Sequence, residues 1–248
     1  MSGFLQSGHV LVGVDGCRAG WIALILRPGE TRPQVRIYGR FADLVGESGP
    51  SATIAVDMPI GLPDRIRGPG RGPEQAIRPY LGARQSSVFS IPARAAVEAE
   101  TYREACELAL KCSDPPRKVS KQAFHLFGKI REIDQLLQDD SGLRDRLIES
   151  HPEFAFCRLN NMVPMATPKK IRGAVNPEGI AERMELLASH GIDRDILSGG
   201  PPRGAAMDDL IDASVNLLMA GRHAAGQTQP FPSGPVCDRH GILIAIHG

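Results

Sequence analysis

No stretch of this sequence is long and apolar enough to cross a bilayer. The longest uninterrupted apolar runs, residues 21–26 and 242–246, fall far short of the roughly 20 residues that a transmembrane helix needs. The residues before His9 also lack the basic flank and apolar centre of a signal peptide. The five cysteines are scattered and form no C-x-x-C pair, which argues against a disulfide scaffold or a zinc knuckle. We therefore predict a cytoplasmic protein that does not contact membranes.

Aromatic residues and excess charge of one sign are scarce as well. Aromatic side chains make up only 5% of the chain, so few surfaces exist on which the bases of a single nucleic-acid strand can stack. The 29 basic residues nearly cancel the 28 acidic ones, which excludes a protein that coats nucleic acid through bulk charge. The basic residues are nevertheless concentrated, with six arginines and one acidic residue between positions 65 and 94. Such a run is typical either of a groove for a polyanion or of an ordinary solvated loop, and the sequence leaves both open.

The apolar pattern predicts an α/β fold with one mixed sheet. Short apolar runs near residues 9–15, 21–26, 34–38, 53–57 and 146–151 predict five strands, of which the first two form a hairpin. Helical spacing predicts helices near residues 41–45, 95–110, 121–137, 152–159, 176–191 and 206–222, and residues 236–246 are typical of a terminal hairpin. The S-x-x-E pattern from Ser150 to Glu153 predicts a capping box. Because no linker divides the chain, we predict a single domain over residues 1–248, with an Arg-rich helical insertion at about 58–145.

Two aspartates stand at the ends of predicted buried strands. Asp15 ends the first strand and Asp57 ends the fourth, and a carboxylate in such a place is costly unless it has a partner or a metal. Each also has a plain structural explanation, as a turn residue before glycine or as a cap before proline. If these strands are parallel neighbours, both carboxylates lie within a few ångströms of each other at one edge of the sheet.

A third acidic element lies in the last predicted helix. Asp209 and Asp212 share one helix face, as do Asp208 and Asp212. Acids in a first helical turn complement the helix dipole, which explains Asp208 and Asp209, whereas Asp212 lies deeper, between Ile211 and Ala213. Clustered carboxylates stay ionised only beside positive charge, and Mg²⁺ or Mn²⁺ is the cation that oxygen ligands favour. The pattern therefore predicts a divalent metal site.

Five motifs occur in an order that resembles a known family. They are Gly13-Val-Asp15-Gly-Cys-Arg-Ala-Gly20-Trp21, Ala55-Val-Asp57-Met-Pro59-Ile-Gly61-Leu-Pro63, Leu81-Gly-Ala-Arg84-Gln-Ser-Ser87-Val-Phe89, His151-Pro-Glu153 and Asp208-Asp-Leu-Ile-Asp212-Ala213. Together they resemble the domain-of-unknown-function 429 family, described as predicted nucleases with an RNase H-like fold. The resemblance covers nearly the whole chain. It implies a mixed five-stranded sheet flanked by helices, and the long Arg-rich insertion after the fourth strand departs from minimal domains of that fold.

The resemblance also implies a catalytic site. RNase H-like enzymes carry one aspartate on the first strand, a second acid at or after the fourth strand, and one or two more on the last helix. Asp15, Asp57, Asp209 and Asp212 match these positions. Such sites use two divalent ions about 3.5–4 Å apart, one activating water and the other stabilising the leaving oxygen. The expected activity is hydrolysis of phosphodiester bonds in DNA or RNA, with Mg²⁺ or Mn²⁺ bound by these four acids.

Further site residues are expected around the acids. If the fifth strand is parallel to the fourth, His151 lies near Asp57 and is placed to assist proton transfer, because histidine titrates near neutral pH. Glu153 is either a metal ligand or the second half of the capping box. Guanidinium groups bind phosphate oxygens in pairs, and three arginines of the insertion are therefore predicted to bind substrate, with solubilising charge as the alternative: Arg78, Arg84 and Arg94.

Three functions from different classes are compatible with the sequence. The first is the metal-dependent nuclease. The second is an RNase H-like protein that binds a nucleotide or a phosphorylated small molecule, as ATPases and sugar kinases of a related fold do, although no glycine-rich phosphate loop follows Asp57. The third is a non-catalytic nucleic-acid-binding domain. Nucleic acid is the expected partner in the first and third cases, and the oligomeric state is left open.

Overall fold

The structure is a computed structural model that describes residues 8–248. Most of the segment addressed by the signal-peptide prediction, residues 1–7, lies outside the described residues. The strands, in chain order, are β1 (Leu11–Cys17), β2 (Gly20–Leu26), β3 (Gln34–Tyr38), β4 (Thr53–Val56), β5 (Ile66–Arg67), β6 (Ser113–Asp114), β7 (Leu147–Glu149), β8 (Lys170–Ile171), β9 (Ala174–Val175), β10 (Pro230–Cys237) and β11 (Leu243–His247). The α-helices are α1 (Phe41–Ser48), α2 (Gly72–Ile77), α3 (Arg94–Glu98), α4 (Tyr102–Lys111), α5 (Lys121–Asp139), α6 (Pro152–Leu159), α7 (Pro177–Ser189), α8 (Arg194–Ser198) and α9 (Met207–Ala224), with 3₁₀ helices at Arg78–Ser87 and Ser141–Leu143.

Seven of these strands form one mixed sheet in the order β10-β11-β7-β4-β1-β2-β3. Strands β1, β2 and β3 are an antiparallel meander, whereas β4 and β7 are parallel to β1. The predicted α/β class with a mixed sheet and flanking helices is therefore confirmed. The predicted number of five strands is wrong, because the terminal hairpin of β10 and β11 joins the edge of the sheet through the pair Ile246 and Glu149.

The central strands β1 and β4 are buried on both faces of the sheet, as their continuous apolar sequences predict. Val12 and Val14 of β1 point to one core, which is completed by α1, α3, α4 and α5. Leu11 points to the other core, which includes the apolar face of α9. The sheet thus separates two hydrophobic layers, and α9 covers one side of β1.

Helix α9 approaches β1 so closely that only glycine fits at position 13. A Cβ atom on Gly13 would lie 2.0 Å from the backbone nitrogen of Leu217 and 2.2 Å from the carbonyl oxygen of Ala213. The side chain of Asn216 donates a hydrogen bond to the carbonyl oxygen of Val14 over 2.8 Å. These contacts fix the first strand and the last helix against each other.

The insertion after β4 is more ordered than the Gly/Pro/Arg-rich sequence predicts. Arg71 is buried and joins it to the sheet, because its guanidinium contacts Glu149 of β7 over 2.6 Å and Glu74 over 2.7 Å. The same guanidinium donates to the carbonyl oxygens of Ile60 and Gly61 over 2.7 and 2.9 Å. The predicted helix at 95–110 is in fact two helices, α3 and α4, with Thr101 capping the second. Among residues 8–248, no helix combines the length and apolar character needed to cross a bilayer.

Candidate active site

Asp15 and Asp57 lie next to each other where the parallel pairing of β1 with β4 ends. The prediction that Asp15 ends the first strand is wrong, because β1 continues to Cys17 through its antiparallel pairing with β2. Strands β1 and β4 are parallel and in register from Leu11 and Thr53 onward, and the backbone N–H of Asp57 donates to the carbonyl oxygen of Val14 over 3.1 Å. Burial raises the pKa of Asp15 well above its usual range, and repulsion from Asp57 and then Asp212 raises it further. Burial, followed by repulsion from Asp212, likewise raises the pKa of Asp57 well above its usual range. The two carboxylates are therefore close together and poorly compensated.

Asp212 lies beside these two acids, on the helix α9 that covers one face of the sheet. It is only 6% exposed, and its Oδ2 accepts a hydrogen bond from Lys169, whereas its Oδ1 is buried without a hydrogen-bond partner. Burial raises the pKa of Asp212 to about 6, even though Lys169 acts in the opposite direction. The first strand, the fourth strand and the last helix therefore each contribute one acid to a common cluster, which we call the carboxylate cluster (Asp15, Asp57 and Asp212).

Lys169 lies inside this cluster and was not predicted from the sequence. Its side chain is 17% exposed, and its Nζ lies 3.8 Å from Oε1 of Glu153 in addition to the bond with Asp212. Burial lowers the pKa of Lys169, but attraction to Asp212 and Glu153 outweighs this and the pKa is raised. Lys169 is therefore a fixed positive charge beside the carboxylates. Its sequence context, Pro168-Lys169-Lys170 in a polar loop, resembles an exposed basic pair and gives no signal of this position.

Glu153 is bound on both oxygens by a second buried cation. Arg183 of α7 is 0% exposed, and its Nη2 lies 2.9 Å from Oε1 and 2.7 Å from Oε2 of Glu153. The prediction of a capping box from Ser150 to Glu153 is wrong, because His151 is the N-cap of α6 and accepts the N–H of Phe154. The carboxylate of Glu153 thus neutralises Arg183, and its role as a metal ligand stays a prediction.

His151 borders the site but is uncharged at neutral pH. Burial lowers its pKa to about 4, which outweighs the attraction of Glu153. Its Nδ1 lies 3.4 Å from the N–H of Phe154 and its Nε2 lies 3.5 Å from the carbonyl oxygen of Ser87. Both contacts are long for hydrogen bonds, so the ring is held loosely and in its neutral form.

The two other acids of α9 play outer roles. Asp209 accepts the backbone N–H of Ala206 over 2.8 Å at the start of the helix, and burial is the main cause of its raised pKa. It is still near enough to raise the pKa of Asp15 by repulsion. Asp208 forms an ion pair with Lys170 over 2.6 Å. The structure therefore brings Asp209 to the margin of the cluster and Asp212 to its centre.

A cavity of about 160 Å³ opens onto the carboxylates from the side of the insertion. Asp15, Asp57, Glu149 and His151 form its polar wall, and Phe89 is among the insertion residues that line it. Burial raises the pKa of Glu149 to about 7, although Arg71 acts in the opposite direction. Residues of the insertion after β4 therefore line one side of the cavity that contains the acids.

The three predicted phosphate-binding arginines do not line this cavity. Arg78 donates to the carbonyl oxygen of Val88 over 3.1 Å and to the hydroxyl of Ser90 over 2.9 Å. Arg94 is buried and contacts Asp134 and Asp238 over 2.6 Å each. Arg84 has a buried Nε without a hydrogen-bond partner. The Nε of Arg94 is likewise buried without a partner. Arg78 and Arg94 therefore hold the insertion together through their other nitrogens, whereas the side chain of Arg84 forms no ion pair among residues 8–248.

The donor chemistry of the carboxylate cluster suits a hard divalent cation. In the described part of the chain, no group of three or more His, Cys, Asp or Glu side chains is placed to hold a metal ion as it stands. One reason is visible at Asp212, where Lys169 takes Oδ2. The buried Oδ1 of Asp212 lacks a partner, and Asp15 and Asp57 repel each other. Both features are those of carboxylates that a cation stabilises.

Comparison with known proteins identifies the family. The family described as "Protein of unknown function (DUF429)" matches residues 13–236, and the chain belongs to it, which confirms the resemblance drawn from the sequence motifs. No curated protein and no solved structure matches the chain.

Proposed function

We propose that this member of the DUF429 family is a metal-dependent nuclease with an RNase H-like active site. The observation that carries the proposal is the convergence of Asp15, Asp57 and Asp212, whose carboxylates perturb one another although they come from β1, the end of β4 and α9. A cluster of this kind is costly without function, because buried like charges destabilise the fold that holds them. The placement on the first strand, after the fourth and on the last helix also supports the RNase H-like assignment.

Mg²⁺ or Mn²⁺ is the proposed cofactor, and Asp15, Asp57 and the free Oδ1 of Asp212 are the proposed ligands. When bound, such an ion lowers the pKa of a water molecule and offsets charge on the phosphate during hydrolysis. The protein supplies the remaining elements of the site. Neutral His151 stands at the cavity wall, where its lowered pKa makes the ring a weak proton acceptor. Val88, Phe89 and Ile91 of the insertion form an apolar part of the same wall.

A groove next to the cavity supports a nucleic-acid substrate. A second cavity, of about 390 Å³, shares Val88, Phe89 and Ile91 with the first and reaches Arg117 and Lys118. Phe89 is 41% exposed where the two cavities meet, which suits stacking of a base. Arg117 and Lys118 are exposed and form no ion pair within residues 8–248. We propose that a strand lies along this groove, with a phosphodiester at the carboxylates and its neighbouring phosphates beside these cations.

The proposed activity is tested by incubating the protein with Mn²⁺ and a panel of single-stranded, duplex, hybrid and branched nucleic acids. We expect cleavage of at least one substrate, no cleavage after chelation, and loss of cleavage in Asp15→Asn and Asp57→Asn. The matched control is Asp43→Asn, because Asp43 is an exposed carboxylate in the first turn of α1. Without metal, Asp15→Asn should melt at the same temperature as the wild type or higher, since a repelling charge is removed.

Two results would contradict the proposal. The first is cleavage that Asp15→Asn retains, which would place the activity elsewhere or in a contaminant. The second is a wild-type melting curve that Mn²⁺ never shifts, combined with a lower melting temperature for Asp15→Asn. That combination would make the aspartates structural caps.

The groove is tested separately by binding of a fluorescent single strand to the inactive Asp15→Asn protein. Phe89→Ala, Arg117→Ala and Lys118→Ala are compared with Arg40→Ala, which removes an exposed arginine that lies between β3 and α1. Loss of a phosphate contact should weaken binding of the strand. It should also reduce the slope of log binding constant against log salt concentration by about 0.7 per contact. Equal affinities for Arg117→Ala and Arg40→Ala would exclude the groove as the substrate path.

A further inference from the structure

The charges around the carboxylate cluster leave room for a single divalent ion. The centre of this part of the protein holds four carboxylates and two cations: Asp15, Asp57, Asp212, Glu153, Lys169 and Arg183. Two further acids act on it from the margin, where Glu149 is paired with Arg71 and Asp209 accepts the backbone N–H of Ala206 at the start of α9. Arg183 compensates Glu153, and Lys169 compensates Asp212. At the centre, the carboxylates without an ion-pair partner among residues 8–248 are those of Asp15 and Asp57, and their two negative charges match one divalent ion.

Neither of the two other cations nearby forms an ion pair with Asp15, Asp57 or Asp212. Lys129 lines the cavity, but its Nζ donates to the carbonyl oxygen of Gly20 over 2.5 Å and lies 4.5 Å from the ring centre of Trp21. Lys170 is paired with Asp208. Each of these side chains has its own partner, so Lys169 is the cation that contacts the cluster directly.

Lys169 is held in place by the backbone around it. The backbone carbonyl oxygen of Lys169 accepts the backbone N–H of Asn176 over 2.7 Å. The side-chain amide of Asn176 donates to the carbonyl oxygen of Pro168 over 2.9 Å. Gly179 of α7 packs so closely on this segment that a Cβ there would lie 2.1 Å from the Pro168 oxygen. The segment is also tied to Arg183, whose Nη1 donates to the carbonyl oxygen of Thr167 over 2.8 Å. These contacts therefore fix the backbone of Lys169 beside the carboxylate cluster.

We propose that Lys169 is a permanent cation of the carboxylate cluster, so that the protein binds one divalent ion, held by Asp15, Asp57 and Oδ1 of Asp212, instead of two. The inference rests on the proposed metal-dependent function and refines it. Lys169 is a positioning residue in this proposal, because it acts through Asp212 by occupying Oδ2 and lowering the negative charge available to a second ion. In this proposal, the two ions that the family resemblance implies would bind only to a variant that lacks the positive charge of Lys169.

The experiment counts Mn²⁺ ions bound per chain by calorimetric titration and by electron paramagnetic resonance of the free ion. Four proteins are compared: the wild type, Lys169→Met, Lys169→Arg and Lys170→Met. The wild type should bind one ion. Lys169→Met should bind a second ion, or bind the first about tenfold more tightly, because removal of a neighbouring positive charge favours cation binding. Lys169→Arg keeps the charge and Lys170→Met alters the neighbouring lysine, so both should resemble the wild type.

The outcomes separate this inference from the function on which it rests. Two ions bound by the wild type, or identical binding by wild type and Lys169→Met, would overturn the role of Lys169 while leaving the metal-dependent function intact. No binding by any of the four proteins would reject the proposed function itself. The wild-type stoichiometry decides between one ion and two even where Lys169→Met fails to fold, and Lys169→Gln offers a second neutral variant.

Discussion

The buried pair of Glu153 and Arg183 offers a quantitative test of how this site is held together. Arg183 is completely buried and makes three hydrogen bonds with Glu153, of 3.2, 2.9 and 2.7 Å. In Glu153→Gln the volume of the side chain is kept while its charge is removed. The guanidinium of Arg183 would then be a buried charge left with the more distant and partly exposed Glu182, 3.9 Å away, as its counter-charge.

The expected cost follows from the burial of both partners. Breaking a buried ion pair by removing one partner costs about 3–5 kcal/mol, because the remaining charge is not compensated. For a chain of this size a loss of 1 kcal/mol lowers the melting temperature by about 2–4 °C, so Glu153→Gln should melt roughly 6–20 °C below the wild type. Replacing both partners by apolar residues, Glu153→Leu with Arg183→Met, should cost less than the single change. The residual cost comes from the two lost bonds of Arg183 to the carbonyl oxygens of Thr167 and Gly179.

The free energy of unfolding is measured in urea by circular dichroism. Equal slopes of this free energy against urea concentration show that the wild type and the variant expose similar surface on unfolding. Glu185→Gln is the control, because Glu185 lies on the same helix α7 and forms a two-bond pair with Arg194, each over 2.7 Å, but on the exposed surface. That pair is solvated, so its loss should change stability little. If Glu153→Gln were no more destabilising than Glu185→Gln, the argument that Glu153 is committed to Arg183 would be refuted.

Three further changes have expected outcomes. Gly13→Ala should lower the unfolding free energy by about 3 kcal/mol or more and abolish Mn²⁺ binding, because its Cβ would collide with the backbone at Leu217; normal Mn²⁺ binding would show that α9 can shift without cost. Burial lowers the pKa of His247 to about 4, so the unfolded state takes up a proton first as the pH falls through 6.5, and this residue should contribute a loss of about 2 kcal/mol of stability between pH 7.5 and 5. His247→Gln should remove that contribution in urea unfolding while the similar one from buried His151 stays, and an unchanged profile would contradict it. Arg94→Met should cost about 3 kcal/mol by leaving Asp238 without its cation, and a loss below 1 kcal/mol would refute this.

Local sequence signals located most of the elements of the fold. Strand β3 and helix α6 have the predicted bounds, since alternation marks the first and a proline at the first helical position marks the second. The edge of the sheet was harder, because β11 meets β7 at one residue pair and no local pattern encodes which edge a terminal hairpin joins. The break between α3 and α4 was missed because alanines continue an apolar helical pattern across it.

The acidic half of the site was accessible from the sequence, and its basic half was not. Asp15 and Asp57 follow apolar strand residues and Asp212 lies among apolar helix residues, so that each carboxylate contrasts with its neighbours. Lys169 and Arg183 carry no such contrast, because lysine in a loop and arginine on a helix are ordinary surface residues. Their burial follows from tertiary contacts with α6 and α9. Residues that neutralise a site are therefore found only once the fold is known.

The contact between β1 and α9 has a consequence for the order of events during translation. The carbonyl oxygen of Val14 receives its hydrogen bond from Asn216, which is 202 positions later in the chain. At a synthesis rate of about 5–20 residues per second, the first strand waits roughly 10–40 s for the helix that covers it. Asp15 and Asp57 are made early, whereas Asp212 arrives with that helix. A nascent chain on the ribosome, surrounded by messenger and ribosomal RNA, thus carries an incomplete carboxylate cluster until nearly the whole protein has been made.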